Sequence, residues 1–168
     1  MREHNLDYTF PIAPRAFWQL FLLDDDFRAA FYEHLALDLE HLDIKTHGEG
    51  DDLVIERDIE MTPHRDLPGF LKKALSGASK VRERGRYSAR ERKYEVEIVL
   101  PVIGRRVDFR GVYTWADSDH ETRRTWRATC NARIPLFGGK LESFLLGQVE
   151  DSHQRGALFT ERYIKEKL

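Results

Sequence analysis

Between residues 81 and 134 apolar side chains fall on every second position in four successive stretches, and from residue 140 to about 166 the period becomes that of a helix. Val81, Glu83, Gly85 and Tyr87 share a face of the first stretch, and Tyr94, Val96, Ile98 and Leu100 a face of the second. Val107, Phe109, Gly111, Tyr113 and Trp115 do so on the third, and Trp126, Ala128, Cys130, Ala132 and Ile134 on the fourth. A period of two marks strands with one buried face. Short connections between such strands make an antiparallel meander the economical topology. Gly138 and Gly139 break the alternation, and Leu141, Phe144, Leu145, Val149, Phe159 and Tyr163 then trace one stripe of a long amphipathic helix. A sheet with a single apolar face has to cover it, and this helix is the available cover.

Upstream, Leu6, Tyr8 and Phe10 predict a short first strand ending at Pro11. Pro14 suits the first turn of a helix carrying Phe17, Leu20 and Phe21. Asp24, Asp25 and Asp26 offer an N-cap and dipole partners to a second helix carrying Phe27, Ala30, Phe31 and Leu35. From about residue 39 the period is again two, through Leu42, Ile44 and Thr46, a turn at Gly48-Glu49-Gly50-Asp51, and Leu53, Ile55, Ile59 and Met61. Residues 67–75 predict a short amphipathic helix, with Pro68 early and Gly77 past its end.

Small residues (Gly85, Gly111, Ala128, Cys130 and Ala132) sit among aromatics on the inward rows. Glycine in a strand permits sharp bending, and small side chains opposite a helix leave either close approach or empty volume. The expected architecture is therefore α+β: a seven-stranded curved antiparallel sheet wrapped around a long C-terminal helix, with two short helices after the first strand. It is expected to form a single domain over residues 1–168.

This order of elements resembles the START-like, or helix-grip, superfamily, which includes the birch-pollen allergen, polyketide cyclases and lipid-transfer domains. The segment Arg133-Ile134-Pro135-Leu136-Phe137-Gly138-Gly139-Lys140-Leu141-Glu142 resembles the strand-to-helix junction of a bacterial family within it, a domain of unknown function. The resemblance implies a lipid or other apolar molecule held between sheet and helix, and it carries no catalytic set.

Lys and Arg total 27 against 29 Asp and Glu, a net charge of -2, which argues against a nucleic-acid partner on bulk charge. The lone Cys130 cannot form an internal disulfide, the first five residues are polar, and no apolar run approaches a membrane span. A soluble cytoplasmic protein is the expectation. No metal or cofactor is expected either. His34, His41 and His47 are spaced unlike a zinc site, and no phosphate loop, dinucleotide fingerprint or nucleophile elbow occurs.

Alternate connections of a meander lie at one end of the sheet, so residues 67–71, 100–104 and 134–138 share a rim. They put Phe70, Leu71, Val102, Ile103, Leu136 and Phe137 where turns ordinarily carry polar side chains. An exposed apolar cluster of this kind marks a contact, here the mouth of a pocket touching a membrane or partner. The alternative is that these loops pack on each other and close the core.

Polar residues on buried rows point the same way. Arg57 shares a row with Ile55 and Ile59, and Glu83 lies on the neighbouring strand, so the two are expected to pair. They form either a polar anchor for a ligand or a structural ion pair, unless a bulge turns Arg57 outward. Gln148, Ser152 and Gly156 follow Leu145 on the helix stripe, where a tightly packed helix would carry aliphatics; they suggest a cavity or, alternatively, a close helix-to-sheet approach. Tyr87, Tyr94, Val96, Phe109, Gly111, Tyr113, Trp126 and Ala128 complete the expected lining.

His153 lies off the centre of the stripe and reads as a surface residue, and Cys130 as a small core residue. Arg82, Arg84 and Arg86 read as a solvated strand face paired with acids such as Glu95 and Glu97. The leading functional expectation is a binding protein for an apolar small molecule or lipid. The alternatives are a cyclase- or hydratase-like enzyme, with Glu83, Tyr87, Tyr94 or Tyr113 as acid or base, and a module docking on a protein through its apolar rim.

Overall fold

The computed structural model describes residues 1–64, 68, 69, 72 and 80–168. In chain order the elements are β1 (Arg2–Phe10), α1 (Pro14–Leu23), α2 (Asp25–His34), β2 (Leu37–His47), β3 (Val54–Pro63), β4 (Val81–Ser88), β5 (Lys93–Val99), β6 (Val107–Thr114), β7 (Thr122–Ala132) and α3 (Gly138–Lys167). The strands form one curved, antiparallel, seven-stranded sheet in the order β1-β7-β6-β5-β4-β3-β2. The expected α+β helix-grip architecture is the one observed. Most of the short helix expected over 67–75 lies outside the described residues.

The first strand pairs with the last, so β1 and β2 are the two edges, and α1 and α2 carry the chain between them. Pro14 opens α1, where its missing N–H is no loss. Asp24 caps α2 by accepting a 2.7 Å hydrogen bond from the Phe27 amide, with Asp25 and Asp26 in the first turn. Phe17, Trp18, Leu20 and Leu22 of α1 are buried, with Phe17 stacked on Phe10 at 4.5 Å.

Two strands begin earlier than their apolar rows suggest. β1 starts at Arg2, opposite Cys130, and β7 starts at Thr122, two inward positions before Trp126. Those two positions are Thr122 and Arg124, both buried.

The helix α3 lies over β1 and β7 and against α2. Near its start Leu141, Glu142 and Leu146 are buried, and near its end Gly156, Ala157, Thr160 and Ile164; from 147 to 155 no residue is. Glu142 accepts a 2.9 Å hydrogen bond from the amide of Ala132, and Tyr8 Oη donates one of 2.9 Å to Glu161. The outer face of the sheet carries ion pairs: Arg82 with Asp58, Arg84 with Asp58 and Glu97, Arg86 with Glu91, and Lys93 with Glu91 and Glu95. Among the described residues no helix is long and apolar enough to cross a membrane.

Candidate functional site

Where α3 buries nothing fully, a cavity of about 460 Å³ separates it from the concave face of the sheet. At roughly 30 Å³ per water, that is space for about fifteen molecules, too much for a packing defect and within the range of ligand pockets. Met61, Ile98, Leu100, Phe109, Phe144 and Val149 contribute apolar walls, and Phe21 of α1 with Phe31, Tyr32 and Leu35 beside it close the near side.

One polar cluster stands on β3, β4 and β5. Arg57 is 6% exposed, and its Nη2 donates to Glu83 Oε1 at 2.9 Å while its Nε donates to Tyr94 Oη at 3.2 Å. Tyr94 Oη in turn donates to the same Glu83 oxygen at 3.3 Å, closing a ring of three hydrogen bonds. The guanidinium also lies over the rings of Phe21 and Tyr94, 5.9 and 5.7 Å from their centroids. Burial opposes its charge, but the paired Glu83 carboxylate helps to hold it cationic. Burial raises the Tyr94 phenol well above its ordinary range, so it stays a neutral donor.

A second cluster joins β6, β7 and α3. Tyr113 Oη and His153 Nε2 are 2.6 Å apart, and His153 Nδ1 is 2.8 Å from the carbonyl oxygen of Val149. A carbonyl only accepts, so Nδ1 carries the imidazole proton and Nε2 accepts from the Tyr113 hydroxyl. Burial, together with repulsion from Arg124 and His4, lowers the imidazole to about 3 against the Val149 hydrogen bond, which favours protonation. Burial also raises Tyr113, so both members are neutral. Trp126 packs on both, 4.5 Å from the Tyr113 ring and 5.0 Å from that of His153. Arg124 completes the polar lining.

Of the residues expected at the site, Arg57, Glu83, Tyr94, Val96, Phe109, Tyr113, Trp126, Leu145, Gln148, Ser152 and Gly156 line the cavity. Tyr87, Gly111 and Ala128 do not. Tyr87 stacks flat on Trp115 at 5.6 Å and packs on Trp18, in the aromatic core under α1. The space above Gly111 is filled by Trp126: a Cβ there would sit 2.0 Å from the indole. Gly85 carries Tyr94 in the same way, at 2.1 Å. These glycines therefore seat rings and leave no void. Ala128 is buried in the same packed row. Gly156 is pressed against α2, where a Cβ would meet the Phe31 ring at 3.0 Å.

His153 is a correction, because it faces the cavity and is not a surface residue. The sequence row that began at Trp126 omitted Arg124, although Arg124 shares its parity, and that spacing was the available signal. Cys130 is fully buried, and burial pushes its thiol up to about 12. On the rim, Leu136 is 94% exposed and Val102 58%, with Phe137 less so, while Ile103 packs on the core. None of these four lines the cavity. Phe70 and Leu71 lie outside the described residues.

The architecture is that of several solved structures. TTHA0849 from Thermus thermophilus superposes with a TM-score of 0.55 at 17% identity, over 99% of this chain and 100% of that one. Norcoclaurine synthase from Thalictrum flavum, in complex with dopamine and hydroxybenzaldehyde, gives 0.59 at 10% identity, over 99% and 88%. The di-domain ARO/CYC BexL from the BE-7585A biosynthetic pathway gives 0.54 at 11% identity, over 97% of this chain and 46% of that one. At such identities the likeness concerns the fold, which is helix-grip. No curated protein matches the sequence. The family model described as "Protein of unknown function (DUF2505)" matches residues 3–164, and the chain belongs to that family.

Proposed function

We propose that this protein binds a largely apolar small molecule between the sheet and α3. The observation that carries the reading is the 460 Å³ cavity, walled mainly by apolar side chains and provided with a few fixed polar groups. Norcoclaurine synthase, of the same fold, is known in complex with dopamine and hydroxybenzaldehyde, which supports small-molecule binding by a helix-grip protein.

The test is titration with the uncharged fluorophore N-phenyl-1-naphthylamine. Uptake with a blue shift is expected, together with its loss in a Ser152→Leu/Val149→Phe variant that fills the space. Gly156 is left alone because a side chain there would strike Phe31. Failure of the parent protein to take up the probe, or undiminished uptake by a folded variant, overturns the reading.

A cyclase- or hydratase-like enzyme is the second reading, favoured by the Tyr113–His153 hydrogen bond. A substrate proton would pass to Tyr113 Oη as the Tyr113 proton moves to His153 Nε2. An imidazole lowered to about 3 is a weak acceptor for that transfer, which places binding first.

A further inference from the structure

Arg124 projects from the inward face of β7 and is only 5% exposed, yet among the described residues its guanidinium has neither a hydrogen bond nor an ion pair. Among the described residues the other two buried guanidinium groups have polar partners: Arg28 meets Asp25 and the Leu22 carbonyl through its two terminal nitrogens, its Nε being left over, and Arg57 meets Glu83 and Tyr94. Arg124 instead sits among four rings, with its guanidinium carbon 4.8 Å from the centroid of Tyr113, 5.0 Å from Phe10, 5.5 Å from Phe21 and 5.6 Å from Phe17. Ring faces stabilise a cation, which explains how the chain tolerates the charge. They leave its N–H donors without acceptors among the described residues, and an unpaired charge in an apolar interior is costly.

Among the described residues the charges around the cavity do not cancel. Arg57 is matched by Glu83, and Tyr94, Tyr113 and His153 are neutral. Arg124 is left over, and Lys72 stands exposed at the cavity's edge with the same sign. We propose that the ligand carries a single carboxylate that pairs with Arg124, its apolar body filling the remaining space beneath α3. The planar fork of a guanidinium matches the two oxygens of a carboxylate, and one negative charge balances one positive charge. This inference rests on the cavity being a binding site for an apolar molecule, as proposed above.

The experiment compares three twelve-carbon probes, dodecanoate, 1-dodecanol and dodecyl phosphate, below their micellar concentrations, by quenching of the Trp126 indole at the cavity wall. Dodecanoate is expected to bind about tenfold to a hundredfold tighter than the alcohol, the worth of a charge-assisted hydrogen-bonded pair. Arg124→Met should abolish that preference, and Arg124→Lys should keep part of it. Equal binding of acid and alcohol by the parent protein overturns the inference and leaves the binding reading standing. So does a preference that survives Arg124→Met. Tighter binding of the phosphate than of the acid overturns the carboxylate assignment. If no probe enters the parent protein, the binding reading falls and this inference with it. The comparison in the parent protein and the Lys variant decides the matter even if Arg124→Met does not fold.

Discussion

Replacing His153 by phenylalanine should flatten the acid side of the stability profile by an amount that the site geometry sets. The unfolded imidazole titrates at 6.5, whereas in the fold it is lowered to about 3 by burial and by Arg124, with His4 adding to the repulsion. Between those values the unfolded chain binds a proton that the native protein refuses. Stability is therefore fully present above about pH 7 and declines as the pH falls toward 3. At pH 5.0, about 1.5 pH units below the unfolded value, the loss is about 2 kcal/mol at about 1.4 kcal/mol per unit. His153→Phe also deprives the Tyr113 hydroxyl of its acceptor, but that cost applies equally at every pH and cancels in the comparison. Urea unfolding of both proteins at pH 7.5 and 5.0 measures the difference: the parent should lose about 2 kcal/mol more than the variant between the two conditions. Equal losses, or an NMR titration of native His153 with a midpoint near 6.5, would refute the reasoning.

Gly111→Ala should destabilise by about 1–3 kcal/mol, because the new methyl forces the Trp126 indole off Tyr113 and His153; thermal unfolding and the near-ultraviolet circular dichroism of Trp126 report it. Arg57→Met should cost about 2–4 kcal/mol, somewhat under the usual figure for a broken buried pair because Glu83 keeps partial access to solvent. Adding Glu83→Gln should recover part of that cost, and a double-mutant cycle showing no coupling would sink the proposed network.

The sheet was legible because alternation persists wherever one face is buried: Val81 to Tyr87 and Tyr94 to Leu100 needed no further information to be read as neighbouring strands. The helix was legible because its stripe begins immediately after Gly138-Gly139. The cavity was legible only in outline. Gly85 and Gly111 signalled bending or space, but a glycine in one strand is equally a seat for an aromatic on the next, and periodicity cannot say which. Arg124 was missed because a charged residue broke an apolar row, although the aromatic cage that accepts it comes from β1, β6 and α1, far away in sequence. His153 was missed for a geometric reason. A helix over a concave sheet meets protein on both flanks, so the inward arc is wider than the stripe of a helix on a flat layer.

The burial pattern of α3 makes it a beam carried on two piers, one around Leu141, Glu142 and Leu146 and the other around Gly156, Ala157, Thr160 and Ile164. At 1.5 Å per residue the stretch from Leu146 to Gly156, which touches the sheet through His153 but buries no residue fully, is about 15 Å long, which limits the length of any guest lying parallel to it. The height of the chamber is governed by the piers, of which Gly156 and Ala157 also border the chamber and Leu141, Glu142, Leu146, Thr160 and Ile164 do not. Substitutions at Glu142 or Thr160, remote from the chamber, should therefore alter which guests fit by tilting the beam.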